Sequence, residues 1–168
     1  MNGTIQKLWA EVKANRDFIF VQTLSGHVIA LPDPKGRSFF LSRVSPDNEL
    51  GASLLQALAA SRMIDPEDEP GFFDVKGRAT EKYNEWVAAT MARFSYKRKS
   101  DLFDRMKFCF VDVVEGVLTI YPSHRDKRGA WTSKGITKEH HVTLAYNSYP
   151  DAVGAALRLA LERCKGKV

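Results

Sequence analysis

Cysteine is scarce: Cys109 and Cys164 are the only two in 168 residues. Two thiols so far apart do not make the staple framework of a small secreted domain, and they read as buried free thiols in a reducing compartment. Histidine is nearly as scarce. His27, His124, His140 and His141 are scattered, and with two isolated cysteines they do not give the spacing of a metal site. His27 and His124 fall in turns. His140 and His141 lie in or beside an expected strand, where alternation sends them to opposite faces. No apolar run approaches the roughly 18 residues a membrane span needs. The opening residues, MNGTIQKLW, carry no apolar signal-peptide core, so export by the usual route is not expected. A glycine-rich phosphate loop, a dinucleotide fingerprint and a nucleophile elbow are all missing, and Ser25-Gly26 and Ser133-Lys134-Gly135 are turn chemistry. The expectation is therefore a protein that is not an enzyme and takes no cofactor and no metal. Carboxylates distant in sequence that meet in the fold are the one catalytic arrangement this leaves open.

What the chain does have is enough apolar residue, 44%, for one domain with its own core over residues 1–168. Two segments echo one another. Each opens with Pro-Asp, at Pro46-Asp47 and Pro150-Asp151, and continues to a glycine, Gly51 or Gly154. From that glycine, Leu54, Ala57, Leu58 and Ser61 recur as Leu157, Ala160, Leu161 and Cys164. Offsets of 0, 3, 7 and 10 place one small and apolar stripe on one helical face, and the early Gly and Ala residues point to a backbone packed close to a sheet. Four short β-branched and aromatic runs precede the first helix, at residues 9–14, 18–24, 28–31 and 38–41, separated by turn residues. Runs at 107–114 and 117–121, joined by Glu115-Gly116 as a hairpin turn, an irregular stretch around Trp131 and a run at 141–145 precede the second. The expected architecture is α+β: antiparallel sheets with packed helices, built from an internally duplicated ββββα unit resembling the Whirly fold. The pseudo-repeats cover about 8–62 and 106–165. The linker over 63–105 carries an amphipathic helix (Ala79, Tyr83, Trp86, Val87, Met91, Phe94) and a short helix capped by Ser100-Asp101.

The net charge is +5. Lys97-Arg98-Lys99, Arg105, Lys107 and the 125–138 stretch are basic and interleaved with Tyr96, Phe103, Tyr121 and Trp131. That composition makes a single-stranded nucleic-acid binder the alternative function, although a solvated basic face over core aromatics explains it more simply. Against this background the acidic run Asp65, Glu67, Asp68, Glu69 and Asp74 stands out. It is the first candidate for a contact with a basic partner, a solubilising loop being the commoner use of such a run. The segment around His124, Arg125, Lys127 and Trp131 is the second candidate.

Several stretches together resemble the immunity proteins of bacterial contact-dependent growth inhibition (CDI) systems. They are Val12-Lys13-Ala14-Asn15-Arg16-Asp17-Phe18, Leu31-Pro32-Asp33-Pro34-Lys35-Gly36, Glu49-Leu50-Gly51, residues 83–94, Pro122-Ser123-His124, Trp131, and residues 153–161. Each is weakly specific, and their order and coverage carry the likeness. The resemblance implies a cytosolic protein whose partner is the C-terminal toxin domain of a surface-delivered effector. That toxin is typically a nuclease, RNase-like in relatives, and is neutralised stoichiometrically by covering its active site. It implies no membrane partner and ranks nucleic acid as the runner-up only. Many nuclease inhibitors are acidic, and the charge of +5 departs from that pattern, so mimicry would rest on a local patch such as 65–74.

Overall fold

The computed structural model describes residues 5–126 and 129–165. β1 (Lys7–Ala14) and β2 (Ile19–Gly26) form a hairpin. Asn15 builds its turn: the side-chain Oδ1 accepts from the backbone N–H of Asp17 and of Phe18, while Nδ2 donates to Leu102 O and to Tyr96. β3 (Ala30–Pro32) and β4 (Ser38–Leu41) share the outer side of β2, one opposite Leu24–Gly26 and the other opposite Ile19–Gln22. β5 (Lys107–Val114) and β6 (Val117–Pro122) form the second hairpin. Its turn residues, Glu115 and Gly116, have φ of 50° and 77°, as a two-residue turn matched to strand twist requires. Two very short strands, β7 (His124–Arg125) and β8 (Trp131–Thr132), pair with each other in a separate ribbon. β9 (Val142–Ala145) then adds to β6.

The main sheet runs β3-β2-β1-β5-β6-β9 with β4 also on β2, and its strand pairs are antiparallel. The α+β architecture read from the sequence is what the chain adopts. The second half departs from the expected four-strand plan, because the stretch around Trp131 leaves the main sheet and forms the ribbon.

α1 (Asp47–Ala59) and α4 (Pro150–Arg163) lie side by side on one face of the sheet. The stripe from each glycine is the buried stripe: Leu54, Ala57, Leu58, Leu157 and Ala160 are fully covered, and Leu161 nearly so. They pack on Ala10, Val12, Ile19, Val21, Val111 and Ile120, and each buried leucine contributes roughly 1.5–3 kcal/mol. The two glycines do not face the sheet. A Cβ on Gly51 would sit 1.7 Å from Pro150 O, and one on Gly154 would sit 1.9 Å from Asp47 O. They exist so that the two helix backbones can touch. Arg158 of α4 locks the crossing by donating to Asp47 Oδ1 at 2.6 Å, to Arg43 O at 3.1 Å and to Ser45 O. Asp47 thus serves an inter-helix ion pair as well as a first helical turn.

The linker helices cover the opposite face. α2 (Thr80–Arg93) and α3 (Lys99–Phe103) pack Val87, Leu102 and Phe103 against Phe18, Phe20 and Phe40. Phe20 points to this face because its neighbours Ile19 and Val21 point to the other. The cap of α3 differs from the Ser100-Asp101 expectation: Asp101 lies in the third position and its carboxylate reaches back to the Arg98 N–H at 3.0 Å.

Candidate partner-binding surface

The acidic run 65–74 leaves the sheet edge beyond β2. Ile64 N–H donates to Gly26 O at 2.8 Å, which pins the entry. Asp65 turns the chain, its carboxylate accepting from Glu67 N–H at 2.9 Å and its carbonyl from Asp68 N–H at 3.0 Å. Phe72 is buried and anchors the exit, with Arg78 donating to its carbonyl at 2.8 Å and lying over its ring at 4.4 Å. Asp74 accepts from Gly77 N–H at 3.0 Å and starts the next turn. Asp65, Glu67, Asp68 and Asp74 are exposed, and Glu69 is half-buried.

Glu69 is held inward by an ion-pair network the sequence did not reveal. Arg62 donates to Glu69 Oε1 at 2.9 Å and to both oxygens of Asp33, at 2.8 and 3.1 Å. The Asp33 side chain has no exposed surface, and it also accepts from Ser25 Oγ at 2.7 Å and from Lys35 N–H at 3.0 Å. Burial alone pushes the Asp33 carboxyl up, but the Arg62, Ser25 and Lys35 hydrogen bonds outweigh it and hold the group below the usual carboxylate range. The Arg62 hydrogen bond likewise lowers Glu69. The Pro32-Asp33-Pro34-Lys35-Gly36-Arg37 stretch after the 28–31 run reads as a turn, and nothing local marks its aspartate as buried.

Asp33 also joins the acidic loop to a cleft of about 230 Å³. Lys13, Gln22, Asp33, Arg37, Tyr83 and Trp86 line it, at the place where α2 crosses the strands. Its floor holds a buried pair, Lys13 Nζ to Glu11 Oε1 at 3.0 Å. Gln22 donates to the same carboxylate oxygen, and the ammonium lies 4.6 Å from the Trp86 ring centre. Alternation in β1 sends Glu11 and Lys13 to the face opposite Ala10 and Val12, and the linker helices make that face an interior.

The second candidate segment is used largely inside the molecule. His124 is a strand residue and only 4% exposed, which corrects its reading as a turn residue. Its Nδ1 accepts from Lys165 N–H at 3.1 Å. Arg125 donates to Phe103 O at 2.9 Å and to Gly129 O at 3.2 Å, sitting between the rings of Phe103 and Trp131. Trp131 stacks on Phe108 at 5.6 Å. Lys127 lies outside the described residues. His140 ends a 3-10 turn, Lys138–His140, and not a strand, and His141 meets the Tyr121 ring edge-on at 4.6 Å. The four aromatics interleaved with the basic segments are also engaged internally. Tyr96 bonds Asp17 and Asn15, Phe103 is buried, Tyr121 bonds Asp112, and Trp131 stacks on Phe108. Among the described residues no group of three or more His, Cys, Asp or Glu is arranged to hold a metal ion, and no helix is long and apolar enough to cross a membrane.

The family model for the CDI immunity protein matches residues 8–164. Immunity protein CdiI-YPIII of Yersinia pseudotuberculosis serotype O:3 (strain YPIII) is 36% identical over 177 residues, spanning 99% of this chain and all of that protein. Among solved structures, the CdiA-CT/CdiI toxin and immunity complex from Yersinia pseudotuberculosis contains a chain that superposes with a TM-score of 0.87. The two are 33% identical, over 96% of this chain and 99% of that one. The protein of unknown function NMB0488 from Neisseria meningitidis superposes with a TM-score of 0.86 at 33% identity, over 98% and 99% of the respective chains. With the family pattern present from β1 to the end of α4, this chain belongs to the CDI immunity protein family.

Proposed function

We propose that this protein binds the C-terminal toxin domain of a cognate CDI effector and neutralises it in the cytoplasm of the producing cell by covering its active site. The toxin is a nuclease, of the RNase-like kind. The observation that carries the reading is the match along nearly the whole chain to a relative solved as part of a toxin and immunity complex.

The surface best suited to the partner is the acidic loop together with the cleft beside it. A stable interface of about 1,600 Å² takes roughly 800 Å² from each partner, a small share of the 9801 Å² here. The cleft offers Tyr83 and Trp86, the residue types that anchor such interfaces. Asp65, Glu67, Asp68 and Asp74 give a local negative rim on a chain of net charge +5, which suits a basic substrate groove and steers encounter. Arg62 fixes the shape of that rim through Glu69 and Asp33, so part of the ordering cost of binding is already met in the free protein.

The test is co-expression with the toxin domain encoded immediately upstream. A stable 1:1 complex and restored growth are the expected results. A toxin domain that neither co-purifies with this chain nor is silenced by it overturns the reading.

A further inference from the structure

Cys109 and Cys164 are 55 positions apart in sequence, yet their sulfurs lie 3.5 Å apart. Cys109 is in the middle of the sheet, opposite Val12 of β1 and Pro122 of β6. Cys164 caps the last turn of α4. They are fully buried and 5% exposed, respectively, and both are free. A disulfide has a sulfur separation of about 2.05 Å, so closing the bond asks for a movement of about 1.5 Å. Cys164 follows Arg163 as the C-cap of α4, where helix ends fray.

We propose that Cys109 and Cys164 are a reversible dithiol site that a small disulfide oxidant converts to an internal disulfide, clasping α4 to the central sheet. The Cys164 thiolate attacks the oxidant and breaks its S–S bond. One small thiol leaves, taking a proton from solution, and a mixed disulfide forms on Cys164. Cys109 then gives up its proton, attacks Cys164 Sγ and expels the second small thiol. Two protein thiols are oxidised and one small disulfide is reduced to two thiols. Cys164 is the attacking group because it stands at the end of α4 and keeps 5% of its surface exposed, whereas Cys109 is fully buried in the middle of the sheet. The mixed disulfide on Cys164 is short-lived, because the resolving sulfur is already in contact with it.

The experiment incubates the full chain with glutathione disulfide, then unfolds it, alkylates it and measures its mass. The expected product is a monomer lighter by two hydrogens with no alkylated cysteine, and a peptide map joining 109 to 164. Its thermal midpoint rises by roughly 5–10 °C, as expected for a bond closing a long loop, and dithiothreitol reverses the rise. In C109S, glutathione stays on Cys164. Two alkylated thiols in the wild-type chain after a free model thiol has been fully oxidised would overturn the proposal. So would a product joined between two chains, or one that stops at the glutathione adduct.

Discussion

Substituting Gly51→Ala tests the reading of the helix crossing. Helix propensity alone predicts a gain, since alanine in a helix interior is favoured over glycine by about 1 kcal/mol. The crossing predicts the reverse. The new Cβ would lie 1.7 Å from Pro150 O and 2.8 Å from Gly154 N, against 3.4 Å for ordinary contact. Both obstacles are backbone, so no rotamer change relieves them, and the helices must part by about 1.7 Å locally. A gap of even 0.5–1 Å forfeits about a quarter to a half of the dispersion between facing atoms, and Leu54, Leu58, Leu157 and Leu161 sit under this crossing. Overpacking of this kind costs about 1–3 kcal/mol, and two rigid backbones place it at the upper end. After the propensity gain the net loss is about 2 kcal/mol, a fall of roughly 4–8 °C in thermal midpoint for a chain of this length. Far-UV circular dichroism melts and urea midpoints measure it. Gly71→Ala serves as the control, because its Cβ meets nothing within 4 Å. A Gly51→Ala protein that melts at or above the wild type refutes the backbone-contact argument.

The same logic makes Gly154→Ala destabilising through Asp47 O, and the double variant should lose less than the sum, because both changes open one crossing; parallel melts decide this. Asp33→Asn should cost roughly 1–3 kcal/mol at neutral pH by weakening the Arg62 and Ser25 bonds. Asp33 is depressed in the fold, so its contribution is present above the unfolded value of about 3.9 and disappears as pH falls through the lower folded value. Urea midpoints of wild type and variant should therefore converge in acid. Asp112 has the opposite sign: burial raises it, with the Tyr121 hydrogen bond opposing, so its contribution is lost as pH rises through the folded value. Asp112→Asn, which still accepts from Tyr121, should be neutral or stabilising at pH 7 by the same midpoints. Ser61→Ala removes the hydroxyl that accepts from Trp9 N–H at 2.9 Å and donates to Leu24 O at 2.6 Å; calorimetry should show a loss of roughly 1–3 kcal/mol. Reversing Glu67 and Asp68 to lysine should leave the melt unchanged, slow association with the toxin domain and flatten its salt dependence in stopped-flow traces.

Much of this fold could be read from local pattern. The stripe Gly51 to Ser61 and its echo Gly154 to Cys164 named the buried helix faces, and the Glu115-Gly116 turn fixed the second hairpin, because period and turn chemistry are local properties. What they packed against was not local. By sequence the glycines point to a sheet, and in the fold they meet another helix, a distinction that depends on a partner about a hundred residues away. Lys13 and Glu11 alternate as a strand's solvent side would, and only the placement of α2 turns that side into a cleft. Asp33 sits between two prolines in what reads as an exposed turn, and Arg62 closes over it from beyond α1. The acidic loop was visible as composition, but its division into four outward carboxylates and one held by Arg62 depends on that same tertiary pair. His124 and Trp131 stand out in the sequence as polar and aromatic residues of an irregular stretch, and the ribbon absorbs both into its packing.

The central claim is that this chain silences a toxin by binding it, and one titration tests it most directly. The purified toxin domain of the cognate effector is held at fixed concentration, and the nuclease activity proposed for it is followed as this protein is added. The account predicts a linear fall to zero at one equivalent, with nanomolar or tighter affinity and no effect on a toxin domain from an unrelated system. Full activity at a tenfold excess of this protein would contradict it.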